Sequence, residues 1–129
     1  MIPTDKTLPA PDPRQKQAIE SYGPGRFRVS GVEHRGAIQI VPSATAPWLV
    51  DDAVALAPDN LALVMGQVPA VEILVVGCGA RAVFVPPSVR AAFKARGIVL
   101  DVMETGAACR TWGVLLAEGR RAAAALMPL

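Results

Sequence analysis

The sequence predicts an α/β domain on a parallel or mixed central sheet, and three observations carry that prediction. Ala70-Val71-Glu72-Ile73-Leu74-Val75-Val76-Gly77 is an almost unbroken β-branched run, the pattern of a strand covered on both faces. From there the chain alternates strand, helix, strand, helix, strand to its end, as βαβ units do. The length is 129 residues, 52% of them hydrophobic and 19% charged, which suits one core rather than two. The same balance, with a net charge of only +2, excludes a chain disordered throughout. It also gives no charge excess of the kind a dedicated nucleic-acid binder carries.

Residues 1–17 are polar, contain Pro3, Pro9, Pro11 and Pro13, and read as a flexible Pro-rich arm. Residues 18–129 read as the single domain. Ser21-Tyr22-Gly23-Pro24-Gly25 is turn chemistry, and Arg26-Phe27-Arg28-Val29 alternates as a half-buried strand should. Gly31 to Gly36 reads as a connection that holds His34 in solvent. Ala37–Val41 reads as the returning strand, antiparallel to Arg26–Val29. Pro42–Pro58 reads as irregular, with Trp48 as its large anchor, either in a short strand with Leu49 and Val50 or as a plug at the core edge. Pro58 or Asp59 opens a helix through about Gln67, with Leu61, Val64 and Met65 on one face.

Pro87 and Ser88 open the next helix, on which Val89, Ala92, Phe93 and Arg96 share a face. Gly97 is its expected αL stop. Ile98–Met103 is a strand, and Thr105 is the expected N-cap of a helix through Glu118, ended by Gly119. Arg121–Met127 is assigned to a closing strand. Its alanines favour helix by propensity, but Gly119 interrupts the run.

Several classes of function fall away. Cys78, Cys109 and the single histidine, His34, supply three soft ligands from distant places, short of the four that structural zinc takes, so no metal and no cofactor are expected. Met1–Lys16 has no apolar core for a secretory signal. The most apolar stretch, Val68–Val85, is interrupted by Pro69, Glu72 and Arg81, whereas a membrane span needs about 20 apolar residues. The expected address is the cytoplasm. Ten of the thirteen cationic residues are Arg, a bias that suits a bacterial source.

In open α/β sheets ligands bind at the carboxyl ends of strands, and two such ends carry suitable residues. Gly77-Cys78-Gly79 would let backbone approach a ligand, although the third Gly of a dinucleotide fingerprint is missing. A tight strand exit packed under Pro86-Pro87 is the favoured reading. Glu104 and Thr105 open a helix whose free N–H groups favour an anion. Arg110, one turn in, is either a structural ion-pair partner of Glu104 or Asp101 or a clamp for a carboxylate or phosphate. Cys109 lies near that helix start beside a cation, a setting that lowers a thiol's pKa, although a small buried residue is the default. Arg120 and Arg121 are either a solvated turn or an anionic docking patch. No residue is assigned a catalytic role.

Three separated motifs carry a family resemblance: Ser21-Tyr22-Gly23-Pro24-Gly25-Arg26-Phe27, then Leu74-Val75-Val76-Gly77-Cys78-Gly79, then Met103-Glu104-Thr105-Gly106-Ala107-Ala108-Cys109-Arg110-Thr111-Trp112 with Leu115–Arg121 behind it. Over roughly Ile19 to Leu129 the chain resembles a family of small domains that includes mitochondrial respiratory complex I assembly factor 3 and the adipogenesis-associated cytosolic protein. The resemblance implies a three-layer fold: a mixed central sheet with one antiparallel strand, flanking helices and a small extra β-layer. It also implies that no reaction is established for the family, and that its best-known member is an assembly partner for a respiratory complex. Cys78 stands where the family usually has Thr, Trp112 where it has Tyr, and Gly113 where it has Asn.

The expectation is therefore a non-enzymatic protein-binding or assembly module, with respiratory-complex subunits or assembly factors as partners. The alternative is an enzyme or small-anion-binding protein with its site at the carboxyl edge, built from Gly77, Gly79, Thr105 and Arg110. A homodimer through an apolar strand edge or helix face is left open.

Overall fold

The computed structural model describes residues 16–129, so nearly all of the Pro-rich arm lies outside the described residues. Lys16 and Gln17, its last two, are tied to the domain. The Gln17 N–H donates to the Pro42 carbonyl at 3.0 Å, its side-chain carbonyl accepts from the Thr45 hydroxyl at 2.8 Å, and Lys16 Nζ donates to the Leu116 carbonyl at 3.0 Å.

A three-stranded antiparallel sheet runs in the order β1 (Ile19–Gly23), β2 (Arg26–Val29), β3 (Val32–Arg35). The main sheet has the order β5 (Ala44–Pro47), β4 (Ile38–Val41), β8 (Ala122–Met127), β6 (Ile73–Cys78), β7 (Val99–Met103). β6, β7 and β8 are mutually parallel and β4 runs antiparallel to both its neighbours, so β4 is the one reversed strand.

The expected pairing of Arg26–Val29 with Ala37–Val41 is corrected. β2 pairs with β1 and β3 instead, and β4 belongs to the other sheet. Ser30 and Gly31 both have positive φ and connect Val29 to Val32 as a two-residue hairpin loop of the primed kind. Val32–Arg35 is a strand because it closes this hairpin, although its own side chains carry almost no apolar signal. His34 therefore lies in β3 opposite Phe27, half-buried rather than in a solvated loop, and desolvation lowers its pKa. The segment after β4 also holds a strand, β5, paired along its length with β4.

The alternation of side chains on the main sheet divides the core in two. Leu74, Val76, Ala123 and Ala125 face one way, under Phe93 of α2 (Pro87–Lys94) and Val64 of α1 (Ala62–Met65). Val75, Ala122, Ala124 and Leu126 face the other, against α3 (Thr105–Ala117) and against Phe27 and Val29 of the small sheet. β8 sits between β4 and β6 with both faces covered, and its alanines leave room for close helix approach.

The helix expected over 58–67 is a 3-10 turn at Pro58–Asn60 followed by the short α1. Buried Gln39 takes the place of a local cap: its side-chain carbonyl accepts from the N–H groups of Leu63 at 3.0 Å and Val64 at 3.3 Å. Its amide donates to the Pro47 carbonyl at 3.0 Å. Trp48 is the plug, 2% exposed, with its indole N–H on the Asn60 side-chain oxygen at 2.8 Å.

Candidate functional site

The carboxyl edge of the parallel strands is the alternative ligand site that sequence reasoning offers, and α2 and α3, which follow β6 and β7, pack on opposite faces of the sheet. The structure brings Gly77, Gly79 and Thr105 together at this edge and joins them to each other. The Thr105 N–H donates to the Gly79 carbonyl at 2.8 Å, and the Gly79 N–H donates back to the Thr105 hydroxyl at 2.8 Å. That hydroxyl donates in turn to the Met127 carbonyl at 2.6 Å, so one fully buried side chain links the exits of β6, β7 and β8. Gly77 permits the arrangement: a Cβ there would lie 2.9 Å from Leu126 Cδ2, 3.0 Å from Thr105 Oγ1 and 3.1 Å from Ala108 Cβ. The glycine admits the α3 helix rather than a phosphate.

The start of α3 is also filled from within. The N-cap is Glu104, not Thr105. Its carboxylate accepts from the Gly106 N–H at 2.9 Å and the Ala107 N–H at 2.5 Å, supplying the negative charge a helix start attracts. Thr105 cannot cap because its hydroxyl faces the strand ends. Arg110 pairs with Glu104 at 3.6 Å from an exposed position, and among the described residues it forms no ion pair with Asp101. Gly113 lies on the same exposed side, with open space where a Cβ would stand.

Neither cysteine has the environment of a nucleophile. Cys109 is buried in the second core, and burial, reinforced by the Glu104 charge, raises its thiol pKa to about 11. The lowering expected from the helix start and Arg110 is outweighed. Cys78 points to the other core, and burial raises its pKa as well. Stability should consequently fall as pH climbs from about 9 towards 11, because the unfolded Cys109 thiol has released a proton that the folded one keeps. Thiol-reagent titration should show Cys109 unreactive at neutral pH until denaturant is added. Rapid labelling of Cys109 in the native protein would contradict this environment.

Arg120 and Arg121 sit at the opposite, amino edge of the sheet, beside a cleft of about 260 Å³. Three segments far apart in sequence form it: the β4–β5 turn with Pro42, the connection into β6 with Val68, Pro69 and Val71, and the turn from α3 into β8. That last turn is a full Schellman motif. The Arg120 N–H donates to the Leu115 carbonyl and the Gly119 N–H to the Leu116 carbonyl, both at 3.2 Å, with Gly119 at φ 69°. The Arg121 carbonyl accepts from the Glu72 N–H at 2.8 Å, which locks the turn to β6. Arg120 lies 3.8 Å from Glu118, and Arg121 pairs with Glu72. Drug-sized ligands fill pockets of about 300–1,000 Å³, so this cleft suits one or two side chains rather than a nucleotide. Sequence reasoning named the two arginines and missed Pro42, Val68 and Pro69, which carry no local sign that they converge.

Among the described residues no group of three or more His, Cys, Asp or Glu side chains could hold a metal ion. No helix of the described residues is long and apolar enough to cross a membrane.

Comparison with known proteins shows the family and a similar fold. A family described as "Protein of unknown function (DUF498/DUF598)" matches residues 19–127. A Rhodobacter capsulatus protein described only as uncharacterized is 37% identical over 111 residues, covering 86% of this chain and 84% of its own. The Danio rerio protein named NADH dehydrogenase [ubiquinone] 1 alpha subcomplex assembly factor 3 is 36% identical over 85% of this chain. The chain spans 63% of that relative's length. A crystal structure described as an outer membrane protein from Bartonella henselae is similar with a TM-score of 0.79 and 33% identity, covering 89% of this chain and 97% of that one.

Proposed function

The chain belongs to the DUF498/DUF598 family of unknown function, and we propose that it works as a non-enzymatic protein-binding module in the assembly of a respiratory complex. The observation that carries this reading is that the polar groups of the carboxyl edge bond to one another. Where an α/β enzyme holds its ligand, Thr105 bonds to Gly79 and Met127, and Glu104 occupies the start of α3. The similarity to a protein named as an assembly factor supports the same reading and the class of partner proposed.

Affinity purification of the tagged protein from its own cells, after crosslinking and with mass spectrometry, tests it. Respiratory-complex subunits or assembly proteins are expected among the crosslinked species. Recovery of the bait alone at native abundance would overturn the proposal.

A further inference from the structure

We infer that the amino-edge cleft recognises an extended acidic segment of a partner protein, with a carboxylate meeting Arg120 and Arg121 and apolar neighbours covering Val68 and Pro69. This rests on the protein-binding reading and adds the chemistry of the segment bound. Charge complementarity carries it. Two arginines line the cleft and no Asp or Glu does. A third cation stands close by, since Lys16 Nζ donates to the same Leu116 carbonyl that accepts the N–H of Gly119, a lining residue.

The arginines are available to a newcomer. Both of their ion pairs are about half exposed, and exposed pairs of this kind contribute little, so an entering carboxylate can replace them. The frame behind them is fixed by the Schellman turn and the Arg121–Glu72 backbone bond. The walls decide the rest of the occupant. Pro42, Val68, Pro69 and Val71 are apolar, and Val68 is 94% exposed at the lip. A polynucleotide would call for a longer cationic track and aromatic platforms, and no aromatic residue lines this cleft.

The test uses the whole chain and a fluorescein-labelled extended peptide in which Asp alternates with Leu and Pro, together with its Asn twin. Binding is read by anisotropy. Arg120→Glu and Arg121→Glu reverse the charges. Val68→Asp places a carboxylate at the lip on a side chain that the fold does not bury, and circular dichroism checks that each variant is folded.

The wild type should bind the Asp peptide, more weakly as salt rises, and should bind the Asn peptide at least about tenfold more weakly. Each variant should lower affinity for the Asp peptide about tenfold or more. Equal binding of the two peptides, unchanged binding by folded Val68→Asp and Arg120→Glu, or preference for poly(U) RNA or phosphatidylglycerol vesicles would each overturn the inference. A cellular partner captured equally by wild type and Val68→Asp would overturn the cleft and leave the protein-binding reading intact. Capture of no partner would overturn that reading, with the peptide titration still judging the cleft.

Discussion

Trp112→Ala is expected to destabilise the domain by about 3–5 kcal/mol, the range for truncating a fully buried large aromatic side chain. Trp112 is 0% exposed and packs in the second core with Phe27, Val29 and the α3 residues around it. Its loss would open a cavity where α3, the small sheet and the main sheet meet. The indole N–H also donates to the Gln17 carbonyl at 2.8 Å, holding the start of the described chain against a helix nearly a hundred residues later. Trp112→Phe separates the two contributions, since it keeps most of the ring and leaves the Gln17 carbonyl without its donor. About 1–2 kcal/mol is expected for that variant. Urea denaturation followed by circular dichroism reads both, and a Trp112→Ala cost below about 1 kcal/mol would mean that the three layers do not depend on this contact.

Thr105→Val is expected to cost about 2–3 kcal/mol, although valine matches threonine in shape. The cost arises because the Gly79 N–H and the Met127 carbonyl lose the hydroxyl that joins them, and buried polar groups left without partners are expensive. Thr105→Ser keeps the hydroxyl and removes a methyl group, so it should cost less than the valine variant. The reverse order would show that Thr105 acts through packing alone. Both variants also bear on function. If the carboxyl edge is sealed for structural reasons, partner capture by folded Thr105→Ser should match the wild type.

Much of the central unit was legible because its signals are local. The β-branched run of β6, the Pro87 start of α2 and the Gly119 stop of α3 depend on near neighbours along the chain. The resemblance carried by Met103–Trp112 supplied the single reversed strand, which no periodicity could. The small sheet was misread because Val32–Arg35 is polar: its strand character comes from Arg26–Val29 across the hairpin. Residue preference points to Thr105 as the cap of α3, one residue past the actual cap Glu104, because the bonds of its hydroxyl to Gly79 and Met127 are long-range.

Candidate residues divide in the same way. Sequence reasoning gathered Gly77, Gly79, Glu104, Thr105 and Arg110 at one edge, and the structure does bring them there. Which of them faces solvent and which closes the fold depends on Leu126 and Met127, contributed by β8. The amino-edge cleft shows this most clearly, since Pro42, Val68 and Arg120 are separated by dozens of residues.

The sequence by itself determined the α/β class, the order of strand and helix from β6 onward, and the scarcity of histidine and cysteine. Each of these is written in composition or in periodicity over a few residues. Tertiary structure alone decided that β2 belongs to a separate sheet, that Thr105 joins the exits of β6 and β8, and that Arg120 and Arg121 border a cleft with apolar walls. Hydrogen bonds and packing between distant segments set those outcomes, and they exist only once the layers have closed on one another.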